Sequence, residues 1–383
     1  MILFLLLQNP FKGGAKGGLE KRQKVNFGNP SSSNLSKGGE GGIRGTSNFF
    51  KIVFNIMHTL YVAQQGCHVC RDQQKLLIKK GEDILGEVQI PLLEQVLVFG
   101  RSQITTQAIQ VCLQEDIPIA FLSRMGYCYG RIMPIERGYR QLSRYQQQLT
   151  PQDRLIIAQR IVEAKLKNSR VFLMRQYRTR QKDSIALAIK SLNYFAQKTL
   201  TVSQLDQLMG IEGSGAVQYF QALGECIAYD EFKLLARSRR PPTNPTNALL
   251  SFGYQILWNH LLTLIEMQGL DPYYACLHQG SERHAALASD LIEEFRVPFV
   301  DSLVLWLINT RTMNPEEDFR YQDGGCFLNA VGRKKFLSAW LKRMEQPVGS
   351  EKQPRWDILT RQIRKYKQFV YNPIEFYTPY EIQ

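Results

Sequence analysis

Between Leu277 and Arg296 the chain brings one imidazole, His278, close to three carboxylates, Asp290, Glu293 and Glu294. The whole chain carries a formal net charge of +14, with 48 Lys and Arg against 34 Asp and Glu. A local concentration of acid in such a chain needs a cause. A divalent cation supplies one, because it turns mutually repelling carboxylates into ligands. Asp290, Glu293 and Glu294 stand at i, i+3 and i+4, which sets them along one side of a helix. Leu287, Leu291 and Phe295 form the buried stripe beside them. The helical wheel points Glu293 away from that stripe, so a solvated acidic face competes with a metal site. A satisfied core histidine likewise competes with a ligand role for His278.

Two segments upstream bear on that choice. Gly210-Ile211-Glu212-Gly213-Ser214-Gly215 sets a carboxylate among small residues at the expected start of a helix ending in Tyr219-Phe220. Small residues let a phosphate backbone approach, and a helix N-terminus favours anions. A first-turn acid that merely complements the helix dipole reads equally well. Arg237-Ser238-Arg239-Arg240-Pro241-Pro242 is a basic, proline-stiffened loop, and Asn247-Ala248-Leu249-Leu250-Ser251-Phe252-Gly253-Tyr254 follows it as a buried helix.

Taken in order, these four motifs resemble the CRISPR-associated spacer-acquisition integrase and endonuclease family, and the likeness runs from about Met57 into the C-terminal region. The resemblance implies a Mg²⁺ or Mn²⁺ ion held by Glu212, His278 and Glu293, with Asp290 as a further acidic catalytic-site residue. It implies cleavage of DNA by water, and integration of captured DNA fragments into a CRISPR repeat by attack of a 3′-hydroxyl. It also implies a homodimer joined through N-terminal β domains and bridged by a dimer of a small ferredoxin-like partner. The chain departs from the family pattern at Asn244, where Asp is common, and at Ala285-Ala286, where a Ser-containing pair is usual. Neither position is an implied ligand.

The surrounding elements agree with an α+β fold. Short alternating segments at Thr59–Ala63, Lys75–Ile78 and Ile84–Val88 predict strands. Val96–Phe99 and Ile117–Leu122 are near-continuous apolar runs flanking a predicted helix over Thr105–Gln114, and Tyr127–Met133 predicts one more strand. After Arg137 the periodicity is helical through at least Met344. The expected organisation is a β-rich dimerisation domain over 57–136 and a larger all-α catalytic domain over 137–383.

Residues 1–56 differ. They hold ten of the 28 glycines and a net charge of +6, and their Lys-Gly-Gly repeats cannot bury enough apolar surface to offset ordering entropy. They read as a disordered leader, either translated upstream sequence with Met57 the expected functional start or a flexible basic tail. The purely apolar runs, such as Leu303–Ile308, are too short to span a bilayer, and Met1–Leu7 lacks a charged flank for a signal peptide. Seven scattered cysteines predict reduced thiols in a cytoplasm. Cys67 and Cys70 have no second pair to complete a zinc site.

Basic charge is concentrated too. Arg154–Lys182 holds nine basic residues against Glu163 alone, a one-sign run that favours phosphate contact. Arg170, Arg175, Arg178, Arg180, Arg239, Arg240 and Arg296 are the expected contacts to double-stranded DNA, and Arg361–Lys367 extends the basic surface. Two other classes compete. A basic DNA-binding protein without chemistry would use its acids only to balance charge. A carboxylate-pair sugar hydrolase would need no metal and would leave the basic surface unexplained.

Overall fold

A computed structural model describes residues 58–62, 64–123, 127–135, 139–281, 284–349, 352–373 and 376–382. The readings of residues 1–56, and of Met57 as a start, lie outside the described residues, as does the expected domain boundary at 136/137.

The first part is strand-rich: β1 (His58–Val62), β2 (His68–Asp72), β3 (Lys75–Lys80), β4 (Asp83–Gln89), β5 (Leu93–Phe99), β6 (Gln103–Ile104), α1 (Thr106–Gln114), β7 (Ile119–Leu122) and β8 (Cys128–Ile132). One sheet has the order β1-β5-β7-β8, with β1, β5 and β7 parallel and β8 antiparallel; the other has the order β4-β3-β2-β6. The two apolar runs are β5 and β7, buried on both faces as parallel strands require. Val96 and Val98 join Leu60, Val62, Val69 and Ile119 in one core. Leu97 and Phe99, on the other face, join Tyr61, Ala120 and Leu122 in the core of the helical part. The Tyr61 ring lies 4.7 Å from that of Trp356, and Gln95 bonds Thr59 at 2.7 Å. The sheet is thus the floor on which the helices stand.

The helical part contains α2 (Tyr139–Gln148), α3 (Pro151–Arg180), α4 (Asp183–Thr199), α5 (Leu205–Gly224), α6 (Pro245–Met267), α7 (Ala286–Ile292), α8 (Ser302–Asn309), α9 (Ala330–Glu345) and α10 (Arg355–Tyr371). It is not all-α. The hairpin β9 (Phe319–Gln322) with β10 (Gly325–Leu328) and the short pair β11 (Pro347–Val348) with β12 (Gln353–Pro354) interrupt it. Both turns carry positive-φ glycines, Gly324 and Gly349, which permit the tight reversal. Among the described residues α6 is the one helix long and apolar enough to cross a membrane, and most of it is buried in the core. All seven cysteines are free.

Candidate active site

Three elements converge on the site. The long helix α3 starts at a capping box, Thr150 with Asp153, with Pro151 in the first turn. It carries Lys165 inward, and that side chain is only 10% exposed. Helix α5 packs against α3 where Gly215 lies under Leu166; a Cβ at Gly215 would meet Leu166 Cδ2 at 2.3 Å. This close approach brings Glu212 to Lys165. The expectation that Glu212 opens a helix is corrected: α5 begins at Leu205, so Glu212 lies inside it and receives nothing from a helix terminus. Packing onto α3 overrides the low helix propensity of Gly210, Gly213 and Gly215.

The third element is α7 together with the turns C-terminal to it. The helix stops at Ile292, a turn carries Glu293 to Phe295, and a π-helical turn spans Arg296–Asp301 around Pro298, which has no N–H to donate. The three acids therefore diverge instead of sharing a face. All are buried, Asp290 and Glu294 completely and Glu293 with 3% exposure, so the solvated-face reading fails.

Asp290 turns back on the loop that bears His278. It accepts the backbone N–H groups of Cys276, Leu277 and His278 at 2.6, 2.9 and 2.9 Å, and His278 Nδ1 lies 2.9 Å from its Oδ1. This carboxylate orients the imidazole and leaves Nε2 as the nitrogen able to bind a ligand, a carboxylate–histidine arrangement typical beside metals. In this arrangement Asp290 positions the imidazole and its loop. Burial acts to lower the His278 pKa, but the Asp290 hydrogen bond, with the charges of Asp290 and Glu293, raises it overall. Trp258 and Ser289 brace the same loop: Trp258 Nε1 donates to Ser289 Oγ at 3.1 Å, and His284 Nε2 lies 3.1 Å from that oxygen.

Glu293 points to Lys165 Nζ, 2.6 Å away, and the same ammonium pairs with Glu212. Arg296 Nη1 lies 3.0 Å from Glu293, and its guanidinium stacks 4.7 Å from the Tyr254 ring centre. Burial acts to raise the Glu293 carboxyl, yet Arg296 and Lys165 hold it down at about 2. Behind them Tyr219 and Tyr254 both donate to buried Asp301, and burial pushes that carboxyl up to about 6.

Glu294 faces away from the site. Tyr377 Oη donates to it, the Tyr380 N–H donates to it at 2.6 Å, and burial raises its pKa to about 8. Asn168 of α3 donates to the carbonyls of Glu294 and Tyr380, both at 2.9 Å, and accepts the Ile382 N–H. Residues 376–382 are strapped in this way along the back of the site.

Glu212 and Glu293 thus meet at one cation, with the charges of His278 and Glu293 close enough to act on each other. Among the described residues, however, no three His, Cys, Asp or Glu side chains are gathered closely enough to hold a metal ion. Lys165 fills the space between the acids instead. In the sequence it stands among the phosphate-contacting candidates of the basic run, and no local signal marks it otherwise. Arg296, expected to contact DNA, here turns its charge to Glu293 and Tyr254. Arg175, Arg178, Arg239 and Arg240 are exposed. Arg170 is half-buried, and Arg180 bonds Gln176 and Thr179. Asn244 accepts the Asn247 N–H at 2.8 Å as the cap of α6, a task Asn and Asp perform equally well, so this departure changes nothing.

Comparison with known proteins matches this architecture. The family described as "CRISPR associated protein Cas1" matches residues 60–342. The CRISPR-associated endonuclease Cas1 1 of Methanospirillum hungatei is 34% identical over 292 residues, covering 75% of this chain and 86% of that protein. A CRISPR-associated exonuclease Cas4/endonuclease Cas1 fusion of Geobacter sulfurreducens is 33% identical, and the match spans 53% of its length. Among solved structures, a partial Cas6-RT-Cas1–Cas2 complex superposes with a TM-score of 0.74 at 25% identity, covering 85% of this chain and 99% of the other. A casposase bound to integration product shares the fold at 22% identity with a TM-score of 0.65. The chain belongs to the CRISPR-associated Cas1 family.

Proposed function

We propose that this chain is a metal-dependent DNA endonuclease and integrase, acting in CRISPR spacer acquisition through the site built by Glu212, His278 and Glu293. The observation that supports it is the convergence of Glu212 and Glu293 on a single cation beside an imidazole that Asp290 fixes in orientation. Lys165 stands in for a metal ion: a buried and a partly buried carboxylate this close are stable only around positive charge. With a nitrogen donor and two carboxylates, the set suits Mn²⁺ or Mg²⁺.

When bound, the ion would supply charge stabilisation at the attacking and leaving oxygens of a phosphodiester. The residues themselves perform separate tasks. Asp290 holds the His278 ring through Nδ1 and leaves Nε2 as the free donor. Arg296 keeps Glu293 ionised. Burial of Glu293 keeps water from that carboxylate, while Glu212 stays partly open. The proposal includes a homodimer with a small ferredoxin-like partner and a cytoplasmic setting; the superposed Cas1–Cas2 complex is its support. The DNA-binding alternative without chemistry gives no reason for Glu212 and a buried Glu293 to converge on one cation.

The test is cleavage and strand transfer on a labelled duplex carrying a CRISPR repeat, with Mn²⁺ and with EDTA, alongside calorimetric titration of Mn²⁺ into the apo-protein. The proposal expects activity only with metal, and one Mn²⁺ lost on Glu293→Ala. Equal cleavage in EDTA would refute it.

A further inference from the structure

We propose that Asp301 is a positioning residue for the Glu212–His278–Glu293 site: through Tyr254 it fixes the Arg296 guanidinium against Glu293, and so sets where that carboxylate points. Asp301 is 1% exposed and lies outside the set of implied ligands. Arg296 and Asp301 open and close the π-helical turn. Such a turn bonds residues five apart, which brings both to one side, whereas an α-helix would set them about 140° apart. Both line one crevice with Lys165, Tyr219 and Tyr254. Its volume is about 10 Å³, room for at most one water, so the side chains around it have little freedom to move.

Tyr254 of α6 carries the contact. Its hydroxyl donates to Asp301 Oδ1, while its ring centre lies 4.7 Å from the Arg296 guanidinium and 5.6 Å from that of Arg237. Tyr219 of α5 donates to Asp301 Oδ2 at 2.7 Å, so both carboxylate oxygens are held. Arg237 is itself fixed by Asn247 Oδ1 at 2.8 Å and Ser251 Oγ at 2.9 Å. Two guanidiniums on one ring repel each other, and the ring's attraction for each is modest. The Asp301 charge, at the hydroxyl end of the same ring, offsets that repulsion and holds the ring in place. Arg296 Nη1 in turn lies 3.0 and 3.3 Å from the two oxygens of Glu293. Among the described residues the Arg296 Nε is buried with no hydrogen-bond partner, so the Tyr254 ring and Glu293 are what locate this guanidinium. The contacts run without a gap from Asp301 through Tyr254 and Arg296 to Glu293. Networks of this kind act as a unit when they are buried.

The inference rests on the functional reading above. Its test uses the full chain, with cleavage of a labelled CRISPR-repeat duplex in Mn²⁺ and calorimetric titration of Mn²⁺ into the apo-protein. Tyr254→Phe keeps the ring against Arg296 and removes only the hydroxyl that ties it to Asp301. Asp301→Asn keeps the shape and removes the charge. Each should lower Mn²⁺ affinity and the maximal cleavage rate by about tenfold, as loss of a residue that orients a ligand from behind does. The KM for duplex should stay within about twofold, because ground-state DNA binding is untouched. The double variant should lose no more than the worse single one, since both act on one contact. Thr246→Val is the control: it removes another buried hydrogen bond of α6, to the Phe232 carbonyl. It should lower the melting temperature comparably and leave Mn²⁺ affinity and cleavage as in wild type. Should Asp301→Asn not fold, Tyr254→Phe decides the matter. Wild-type Mn²⁺ affinity in Tyr254→Phe overturns the inference. So does a control that loses as much activity as Tyr254→Phe, because activity would then track stability alone. Wild type that neither binds Mn²⁺ nor cleaves would sink the functional reading itself, and this inference with it.

Discussion

Lys165 is the most consequential residue to change. Its ammonium is the charge that keeps Glu212 and Glu293 together in the apo-protein. Lys165→Met removes it with little change of volume and leaves two carboxylates facing each other, Glu293 4% and Glu212 27% exposed at the side chain. Removing one partner of a buried pair costs about 3–5 kcal/mol, and the partial exposure of Glu212 argues for the lower end, about 3 kcal/mol. At roughly 2–4 °C per kcal/mol for a chain of this class, the apo-protein should melt roughly 6–12 °C lower. Mn²⁺ should reverse the loss, because the metal no longer has an ammonium to displace. If only half of that energy opposes metal entry in wild type, the variant should bind Mn²⁺ about tenfold more tightly, at about 1.4 kcal/mol per decade. Differential scanning fluorimetry in EDTA and in Mn²⁺, with calorimetric titration, reads both effects; Lys165→Gln should reproduce them in weaker form. An unchanged melting point in EDTA together with unchanged or weaker Mn²⁺ binding would refute the reasoning.

Other expectations rest on the same geometry. Glu212→Ala, His278→Ala and Glu293→Ala should each abolish metal-dependent cleavage while the circular dichroism spectrum stays that of wild type. Asp290→Asn should weaken Mn²⁺ binding by about 10–100-fold through misorientation of His278, and calorimetry showing wild-type affinity would count against it. Glu294 has its folded pKa raised to about 8, so the folded state holds a proton that the unfolded chain releases at ordinary carboxylate pH. Stability from this group is present below that range and declines as pH rises through about 8; Glu294→Gln should flatten the decline in thermal melts from pH 5 to 9. Gly215→Ala should push α5 off Leu166, costing about 1–3 kcal/mol and reducing cleavage through displacement of Glu212, as urea unfolding and turnover together would reveal.

The sequence displayed the parts of this protein whose patterns are local. β5 and β7 stood out because strands buried on both faces are continuous apolar runs, and α1 as the helical stretch between them, which the structure shows capped by Thr105 accepting the Ala108 N–H. β2 and β6 were hidden: β2 mixes His, Val, Cys, Arg and Asp with burial only at Val69 among its core positions, and β6 is two residues long. In the site, residue types were legible and directions were not. Helical spacing put Asp290, Glu293 and Glu294 on one side, but the helix ends at Ile292 and the π-helical turn after Phe295 sends each acid to a different partner. Lys165 was invisible because its partners lie 47 and 128 positions further on, at Glu212 and Glu293. No window of sequence contains that contact.

The sheet β1-β5-β7 gives one face to each half of the molecule, and this limits how the family can be recombined. A chimera that takes its strand-rich half from one relative and its helices from another would place a foreign Tyr61, Leu97 and Phe99 against Trp356 and the helical core. Close-packed interiors tolerate such mismatches poorly. Grafts that move this sheet together with α10 should express as folded protein, whereas grafts cut at the β-to-α border should not, so the unit of exchange is set by the sheet and not by the change in secondary structure.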